Sequence, residues 1–294
     1  MRLTRFAFIL ALTLASATMR AQGLYSAETL HKTAPAVPSS MTFAGETISF
    51  SRSDIYERMD RELLSFTYMH SNSTLMLKRA PRIFEIVEPI LKANGIPEDL
   101  KYLMVIESNL DPTALSTSKA AGLWQFMAST ARNYGLVVGT EVDERYNIEK
   151  ETVAACKYLK EAYNKFGDWM TVAASYNAGQ AGISSRLASQ HVDNAMDLWL
   201  VEETSRYMFR ILSAKMFFEN PESFGFHVEP FQCYPSLKPA KTVTVTGAVP
   251  DLVKFAEDNG VTYAQLKRAN LWLRDSKLTN KEGKSYVIAI PTGR

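Results

Sequence analysis

Glu107 stands at the end of an apolar helical run, where a carboxyl group can act as an acid. Leu103 to Ile106 precede it, in a helix that the sequence predicts to begin at Pro97. The carboxyl end of a helix carries partial negative charge, and burial among apolar groups disfavours a charged carboxylate. Both effects raise the pKa of a glutamate, and one that keeps its proton near neutral pH can protonate a departing oxygen. Most glutamates at helix ends are simply solvated, so position alone does not identify an active site.

Glu107 opens a series of four short blocks that favour the catalytic interpretation. The blocks are Glu107-Ser108, Gly122-Leu123-Trp124-Gln125-Phe126-Met127, Ser175-Tyr176-Asn177-Ala178-Gly179 and Glu203-Thr204-Ser205-Arg206-Tyr207. Taken singly, the glycines could serve turns and the tyrosines could be packed core aromatics. Four blocks in order over about 100 residues form a strong signal.

In order and spacing these blocks resemble the soluble lytic transglycosylase family, whose patterns are E-S, G-L-x-Q-x-M, A-Y-N-x-G and E-T-x-x-Y. The stretch from about 80 to 226 is especially similar to the membrane-bound lytic murein transglycosylase D group. The resemblance implies a lysozyme-like helical transglycosylase domain that cuts the glycan strands of peptidoglycan. Two departures are mild, because neither removes a hydrogen-bonding group. Ser175 replaces the usual alanine, and the aromatic Trp124 and Phe126 stand where aliphatic residues are also common.

The resemblance also implies roles for individual positions. Glu107 matches the catalytic acid, and Ser108 and Glu203 are expected to support it from a second layer. The residues expected to contact the saccharide or to lie beside the acid are Ser116, Gln125, Met127, Tyr176, Asn177 and Tyr207. We expect no cofactor and no metal site, and no zinc-type cysteine spacing is present.

The expected mechanism depends on a single carboxylic acid, whereas ordinary glycosidases use two carboxylates. Asp111 is the nearest further acid, but Asp111-Pro112 is typical of a helix stop. The resemblance implies that Glu107 protonates the oxygen between N-acetylmuramic acid and N-acetylglucosamine. Glu107 then takes the proton of the C6 hydroxyl of the same muramic sugar, which closes onto C1 and leaves a 1,6-anhydro end without adding water.

Two alternatives stay open beside this reaction. One is a hydrolytic muramidase of the same fold, whose product would contain the elements of water. The other is a wall-binding scaffold without catalysis, which the joint presence of Glu107, Gln125, Tyr176 and Asn177 disfavours.

Helices are the elements expected to position these residues, so the fold class is mainly α. Apolar residues recur at helical spacing, with helices predicted over about 53–77, from Pro81 to Asn94-Gly95, from Pro97 to Asp111-Pro112, and over about 149–166, 169–176 and 203–218. We expect the catalytic domain over 80–221, after an N-terminal leader and helical extension over 22–79. Apolar residues show no helical or strand periodicity in the leader up to about Thr47, so the leader is predicted to be flexible.

The C-terminal part follows a predicted linker over 222–240, which contains three prolines. Residues 241–294 predict a small separate βααβ domain, with strands over 242–245 and 286–290 around helices over 250–258 and 262–269. Leu266 to Asn270 and Tyr286 to Pro291 make it similar to a LysM module, a type that binds glycans containing N-acetylglucosamine. Gly247-Ala248-Val249 replaces the usual Gly-Asp-Thr or Gly-Asp-Ser, so glycan binding and a purely structural role both stay open.

The first 21 residues predict a secretory signal peptide. Arg2 and Arg5 precede an apolar run from Phe6 to Leu14, and small residues follow it. The run is too short to span a bilayer, and no cysteine follows it that could carry a lipid. We expect export to the periplasm or cell envelope as a protein that is not a lipoprotein. An uncleaved anchor is the alternative, and peripheral association with the cell wall or membrane stays open.

The charge of the chain limits the classes of partner, and the surroundings of its two cysteines indicate whether they pair. The chain has 33 basic and 31 acidic residues and a formal net charge of +2, without the basic stripe of a nucleic-acid-binding protein. The charge distribution therefore disfavours nucleic acid as a partner, and the resemblance implies the peptidoglycan glycan strand. Cys156 and Cys233 could pair in an oxidising compartment, but the apolar helical surroundings of Cys156 favour a free, buried thiol.

Overall fold

The computed structural model describes residues 34–292 and shows a mainly α-helical chain, as the sequence predicts. The predicted signal peptide lies outside the described residues. The helices are α1 (Ser53–Tyr68), α2 (His70–Ala93), α3 (Lys101–Ser108), α4 (Ala128–Asn133), α5 (Ile148–Phe166), α6 (Trp169–Ala178), α7 (Gln180–Gln190), α8 (Glu202–Glu219), α9 (Leu252–Asp258) and α10 (Tyr263–Ala269). The strands are β1 (Ser40–Phe43), β2 (Glu46–Ser49), β3 (Lys241–Val245) and β4 (Tyr286–Ile290), and they form the antiparallel pairs β1–β2 and β3–β4. Within residues 34–292, no helix combines the length and the apolar character that crossing a membrane requires.

The short helix α3 runs through the middle of the helical core and carries Glu107 near its end. Every residue from Lys101 to Ile106 is buried, which is typical of a helix surrounded by protein on all sides. α3 packs against α2 and α8, and α8 also contacts α1 and α6. Because α8 touches three other helices, its side chains are held in place around the end of α3.

Among the ion pairs that join α8 to its neighbours, two contain well-buried side chains. Arg206 donates to both carboxylate oxygens of Glu62 on α1, at 2.6 and 3.1 Å, and Glu62 is fully buried. Lys215 lies 2.7 Å from the carboxylate of Asp99, just before α3. Removing one partner of a buried pair costs several kcal/mol, so these contacts fix the position of α8 against α1 and α3.

The start of α2 corrects the prediction that Pro81 begins a helix. α2 begins at His70, and both Pro81 and Pro89 lie inside it. A proline within a helix removes one backbone hydrogen bond, and here the helix continues because one face is buried over its whole length. The prediction gave a proline at a first turn too much weight against this longer apolar face. The end at Asn94 is as predicted.

An ordered hairpin corrects the prediction of a flexible leader up to Thr47. β1 and β2 are joined by Ala44 and Gly45, whose φ angles of 52° and 87° suit a tight hairpin turn. Phe43 is fully buried in the helical core, and the Ala44 N–H donates to Asp99 at 2.7 Å. The hairpin buries few apolar side chains, and so sparse a pattern gives no period that the sequence alone reveals. The helices α4 and α7 were also missed, and both are short.

The C-terminal domain has the predicted βααβ order, with β3 and β4 enclosing α9 and α10. It packs against the loop before α5. Val142 and Leu273 form a β-bridge, and the Asp143 N–H donates to the Trp272 carbonyl at 2.9 Å. Val142 and Tyr146 share one apolar cluster with the core of this domain. The small domain therefore buries part of its surface on the helical domain.

Both cysteines are free, as the sequence favours. Cys156 is fully buried in α5, and this burial raises the pKa of its thiol to about 11. A thiol in this state is a small apolar core group and not a nucleophile.

Candidate active site

Glu107 is the ionisable centre of the site, in the last turn of α3. Its carboxyl is half-buried, and burial raises its pKa to about 7. A hydrogen bond from Tyr207 and the positive charge of Arg210 lower the pKa, whereas the negative charge of Glu203 raises it. Burial outweighs the two stabilising groups, so the carboxyl holds a proton for about half the time near pH 7. This is the property that the sequence predicts for a proton donor.

Tyr207 of α8 makes the direct contact with this carboxyl. Its hydroxyl donates to Oε1 of Glu107 at 2.5 Å. Burial raises the pKa of Tyr207 well above its usual value, and the nearby Glu107 raises it further. The hydroxyl therefore stays protonated and acts only as a donor. Glu203, from the same sequence block, is exposed at the start of α8.

Tyr176 and Asn177, at the end of α6, are each tied to a neighbouring element. The Tyr176 hydroxyl donates to the Trp124 carbonyl at 2.7 Å, and the ring is half-buried. The Thr204 hydroxyl of α8 donates to Oδ1 of Asn177 at 2.8 Å. This contact orients the Asn177 amide, because it occupies the oxygen and leaves the nitrogen as a donor for other groups.

The cleft loop, residues 114–127, carries the second sequence block and folds back on itself. Gln125 has a left-handed φ of 49°, and its amide nitrogen donates to the carbonyls of Gly122 at 2.7 Å and Ala114 at 3.3 Å. Met127 is 44% exposed, which places it at the surface and not in the core. Ser116 accepts the Ala120 N–H at 3.0 Å and so closes a turn within the same loop.

The cleft loop rests on two buried side chains of α5. Glu151 is fully buried and accepts the Trp124 N–H at 3.1 Å, while the indole N–H of Trp124 donates to Thr152 at 3.0 Å. Burial raises the pKa of Glu151 well above its usual value, which favours the neutral form of this carboxyl. Since the Trp124 carbonyl accepts from Tyr176, one chain of contacts runs from α5 through the loop to α6.

The structure accounts for the departures from the family pattern. The Phe126 ring packs edge-on against the Tyr176 ring, with centroids 6.3 Å apart, and Trp124 is fully buried. Ser175 is also buried, and its hydroxyl donates to the Val172 carbonyl at 2.8 Å. The polar groups of Trp124 and Ser175 are thus hydrogen-bonded outside the site, and Phe126 packs against one of its rings.

Some predicted residues do not meet at the carboxyl. Ser108 is buried, and its hydroxyl donates to the Met104 carbonyl within α3. The described contacts of Ser116 all lie within the cleft loop. Glu107, Tyr207 and Tyr176 do lie close together. Tyr207 is hydrogen-bonded to Glu107, and the negative charge of Glu107 is near enough to raise the pKa of both tyrosines.

Asp111, the nearest further acid in sequence, is engaged in a turn. It accepts from the Thr113 N–H at 2.9 Å and lies 3.1 Å from Arg79. Burial raises its pKa, but these hydrogen bonds and the Arg79 charge outweigh burial and hold the pKa below its usual value. Asp111 is therefore an ionised structural group and does not supply a second acid.

Sequence reasoning missed three residues that shape the site. Arg210 lies one turn after Tyr207 and lowers the pKa of Glu107. Thr204 orients Asn177, and Glu151 supports the cleft loop. Of these three residues, only Arg210 could have been found from the sequence. It lies three residues after Tyr207, and residues at i and i+3 share one face of a helix. In the described part of the chain, no group of three or more His, Cys, Asp or Glu side chains is arranged to hold a metal ion.

The family models divide the chain into two matched parts. Residues 86–196 match the transglycosylase SLT domain, which contains Glu107 and the blocks around Gln125 and Tyr176. Residues 241–294 match the soluble lytic transglycosylase C-terminal LysM-like domain.

Individual relatives agree with these matches. The chain is 28% identical over 239 residues to membrane-bound lytic murein transglycosylase D of Escherichia coli strain K12. The matched residues cover 80% of this chain and 51% of that protein. It is 36% identical over 96 residues to peptidoglycan transglycosylase gp16 of Escherichia phage T7, covering 32% of this chain and 7% of that protein. The chain thus spans about half the length of its Escherichia coli relative. A solved structure of an inactive mutant of lytic transglycosylase Slt from Pseudomonas aeruginosa shares 19% identity, covers 52% of this chain and 26% of that one, and gives a TM-score of 0.37.

Proposed function

We propose that this chain, which carries a transglycosylase SLT domain and a LysM-like C-terminal domain, is a lytic transglycosylase that cleaves the glycan strands of peptidoglycan. The observation that carries the proposal is the half-buried Glu107, whose pKa lies at about 7 while Tyr207 holds its carboxyl. Such a group can give a proton in one step and take one in the next at the same pH.

Bond cleavage comes first in the proposed reaction. Glu107 gives its proton to the oxygen that links C1 of N-acetylmuramic acid to N-acetylglucosamine. The C1–O bond breaks, its electron pair stays with the departing oxygen, and positive charge develops at C1. The Glu107 carboxylate that remains is stabilised by the Tyr207 hydroxyl and the Arg210 charge. These two groups therefore favour the step in which the acid becomes an anion.

Ring closure comes second and returns the proton. The Glu107 carboxylate takes the proton of the C6 hydroxyl of the muramic sugar, and O6 forms a bond to C1. No water is consumed, and the product ends in a 1,6-anhydro sugar. An intramolecular nucleophile gains from proximity, which offsets the lack of a second carboxylate. The engagement of Asp111 with Arg79 and Thr113 supports a mechanism with one acid.

Five further side chains are proposed to hold the saccharide: Ser116, Gln125, Met127, Tyr176 and Asn177. The orientation of Asn177 by Thr204 supports a role as an amide donor to sugar oxygens. The exposure of Met127 supports a role at the cleft surface. Ser108 and Glu203 are proposed as supporting residues, Glu203 through its effect on the pKa of Glu107.

The C-terminal domain keeps both roles predicted from its sequence. Val249, in the loop that departs from the LysM pattern, is buried and pairs with Leu278 through two backbone hydrogen bonds of 2.7 and 2.8 Å. This pairing supports a structural role for that loop. Glycan binding by the remainder of the domain stays a prediction.

Export to the periplasm or cell envelope belongs to the same proposal, because peptidoglycan lies outside the cytoplasm. The predicted signal peptide over 1–21 supports it. Fractionation of cells that produce the full chain would test the location. Recovery only with cytoplasmic marker proteins would contradict it.

Mass spectrometry of the muropeptides released from purified sacculi tests the reaction. The wild type is expected to release 1,6-anhydro products, which lack the elements of water found in the products of a hydrolytic muramidase. Glu107→Gln is expected to lower release at least roughly hundredfold, since an amide cannot serve as the acid. Glu57→Gln, an exposed position on α1, is the matched control and should act like the wild type. Hydrated products, or full activity of Glu107→Gln, would overturn the proposal.

A further inference from the structure

A groove of about 760 Å³ lies where the helical domain and the C-terminal domain meet, which is a size typical of ligand sites. Arg82 and Ile86 of α2 form one wall, and residues 236–239 form another. Gln265, Arg268 and residues of β3 and β4 form the C-terminal wall. Pro112, Thr113 and the start of α5 complete it. The proposed transglycosylase reaction uses none of these residues.

The segment 230–240 is held against α2, so the groove has a built wall on that side. The Tyr234 N–H donates to the Lys78 carbonyl at 2.9 Å, and the Arg82 guanidinium lies 4.9 Å from the centroid of the Tyr234 ring. Lys238 forms an ion pair with Glu85 of α2. These contacts place the segment across α2 and leave the space between it and the C-terminal domain open.

Positive charge dominates the lining. Its charged side chains are four cations, Arg82, Lys150, Lys238 and Arg268, and one acid, Glu149. Lys150 is paired with Glu144, and Lys238 is paired with Glu85. Arg82 and Arg268 have no ion-pair partner among residues 34–292. The groove thus offers two arginines that form no ion pair within the described chain.

Arg82 is the more informative of the two. It is half-buried, and its Nε is fully buried with no hydrogen-bond partner in the described chain. Burial and the neighbouring Arg79 charge lower the pKa of its guanidinium. A buried donor without a partner costs free energy. The Arg82 side chain also lines the groove, where a guanidinium can bind an anion through two parallel N–H donors. Arg268, at the exposed end of α10, offers a second fork-shaped donor in the lining of the same groove.

One segment of the chain runs from the lining of the groove into the cleft loop. Pro112 and Thr113 line it, and the next residue, Ala114, accepts hydrogen bonds from the Gly122 N–H at 3.0 Å and from the Gln125 amide at 3.3 Å. A ligand in the groove would therefore contact the segment that continues into the cleft loop.

We propose that this groove binds the free carboxylates of short acidic peptides, the chemistry carried by the peptide stems of a peptidoglycan strand. The site rests on the proposed function, because it takes the peptide part of the same substrate whose glycan part enters the cleft. Arg82 and Arg268 supply bidentate contacts to carboxylates. Ile86, Leu237 and Val287 supply apolar contacts to the peptide side chains.

Binding to three forms of one soluble uncrosslinked glycan strand tests the site: with its peptide stems, with the stems removed by an amidase, and with the stem carboxylates amidated. All proteins carry Glu107→Gln, so that cleavage does not disturb the titration. The double variant Arg82→Gln, Arg268→Gln is expected to bind the peptide-bearing strand roughly tenfold more weakly. Its affinity for the stripped and amidated strands should match that of the parent. Lys92→Gln, an exposed cation on α2 outside the groove, is the control for charge.

Two outcomes would overturn the site. Equal affinity of the double variant and its parent for the peptide-bearing strand would show that the arginines do not bind stems. An equal loss for all three strands, in a variant whose thermal unfolding matches that of its parent, would show a glycan contact instead. Where the double variant unfolds at a lower temperature, Arg82→Lys, which keeps the charge, is compared with the parent on the same three strands. Failure of the proposed reaction is visible separately, as absence of anhydro products from the protein that retains Glu107.

Discussion

The Tyr207 hydroxyl donates a 2.5 Å hydrogen bond to Oε1 of Glu107, joining the end of α3 to the middle of α8. The bond works against burial, because burial favours the neutral acid and the hydroxyl favours the anion. Together with Arg210, it leaves the pKa of Glu107 at about 7. Without these two groups the pKa of Glu107 would be higher, and the carboxyl would be a weaker acid in the step that protonates the departing oxygen.

Substitution of Tyr207 by phenylalanine should shift the pH profile in a defined direction. Cleavage needs protonated Glu107, so kcat/KM of the wild type should fall as the pH rises through about 7. Tyr207→Phe removes a donor that stabilises the anion, so the pKa of Glu107 rises and the descending limb moves to higher pH. The maximum rate should fall as well, since the anion formed in cleavage loses its hydrogen bond. Rates of muropeptide release at several pH values measure both effects. A descending limb at the same pH as in the wild type, or at a lower pH, would contradict this role of Tyr207.

Two neighbouring charges should move the same limb in opposite directions. Arg210→Gln removes a positive charge that lowers the pKa of Glu107, so its descending limb is expected above that of the wild type. Glu203→Gln removes a negative charge that raises the pKa of Glu107, so the descending limb of its pH profile is expected at a lower pH than in the wild type. Salt should shrink the Glu203 effect more, because that side chain is exposed. Shifts in one common direction would show that the substitutions act through structure and not through charge.

The sequence predicted the elements whose apolar face repeats over several turns. α5, α6 and α8 and the βααβ order of the C-terminal domain were predicted to within a few residues. The β1–β2 hairpin was missed, since it depends on a two-residue turn at Ala44 and Gly45 and on distant contacts such as that of Asp99. Such contacts leave no local pattern in a sequence.

The candidate site divides in the same way. Glu107, Tyr176 and Tyr207 were predicted because each lies in a short block of distinctive residues, and the structure brings them together. Arg210 and Glu151 act across the fold, through charge or through a backbone contact, and neither lies in one of the four sequence blocks. Sequence position also could not show that Asp111 is held by Arg79 on another helix.

Gly122 should tolerate no side chain. Its φ is +82°, and a Cβ there would lie 1.7 Å from the Arg145 carbonyl oxygen and 2.4 Å from Oε2 of Glu151. The backbone oxygen cannot move aside alone, so Gly122→Ala should shift the cleft loop and lower the free energy of unfolding by about 3 kcal/mol. Gly247→Ala is the control, since nothing lies within 4 Å of its Cβ and its φ is not in the left-handed region. Urea unfolding of both variants measures the difference, and equal stability would contradict the predicted clash.

Glu151 should make the stability of the protein depend on pH. An exposed glutamate in the unfolded chain loses its proton near pH 4.3, whereas burial keeps Glu151 protonated in the folded state to a much higher pH. Above about pH 4.3 folding therefore takes up a proton, and this group lowers the free energy of unfolding by at most about 1.4 kcal/mol for each further pH unit, up to its folded pKa. Below pH 4.3 both states are protonated, and the loss disappears.

Glu151→Gln isolates this effect, because glutamine has nearly the same shape, can still accept the Trp124 N–H, and does not titrate. The free energy of unfolding of Glu151→Gln minus that of the wild type should grow as the pH rises above about 4.3, whatever its sign at pH 4. Urea unfolding at four pH values measures this difference, in which the titration of all other groups cancels. Glu57→Gln, at an exposed position, should show a difference that is flat with pH. A flat difference for Glu151→Gln as well would mean that Glu151 is ionised in the folded protein, and the cleft loop would then rest on a buried charge.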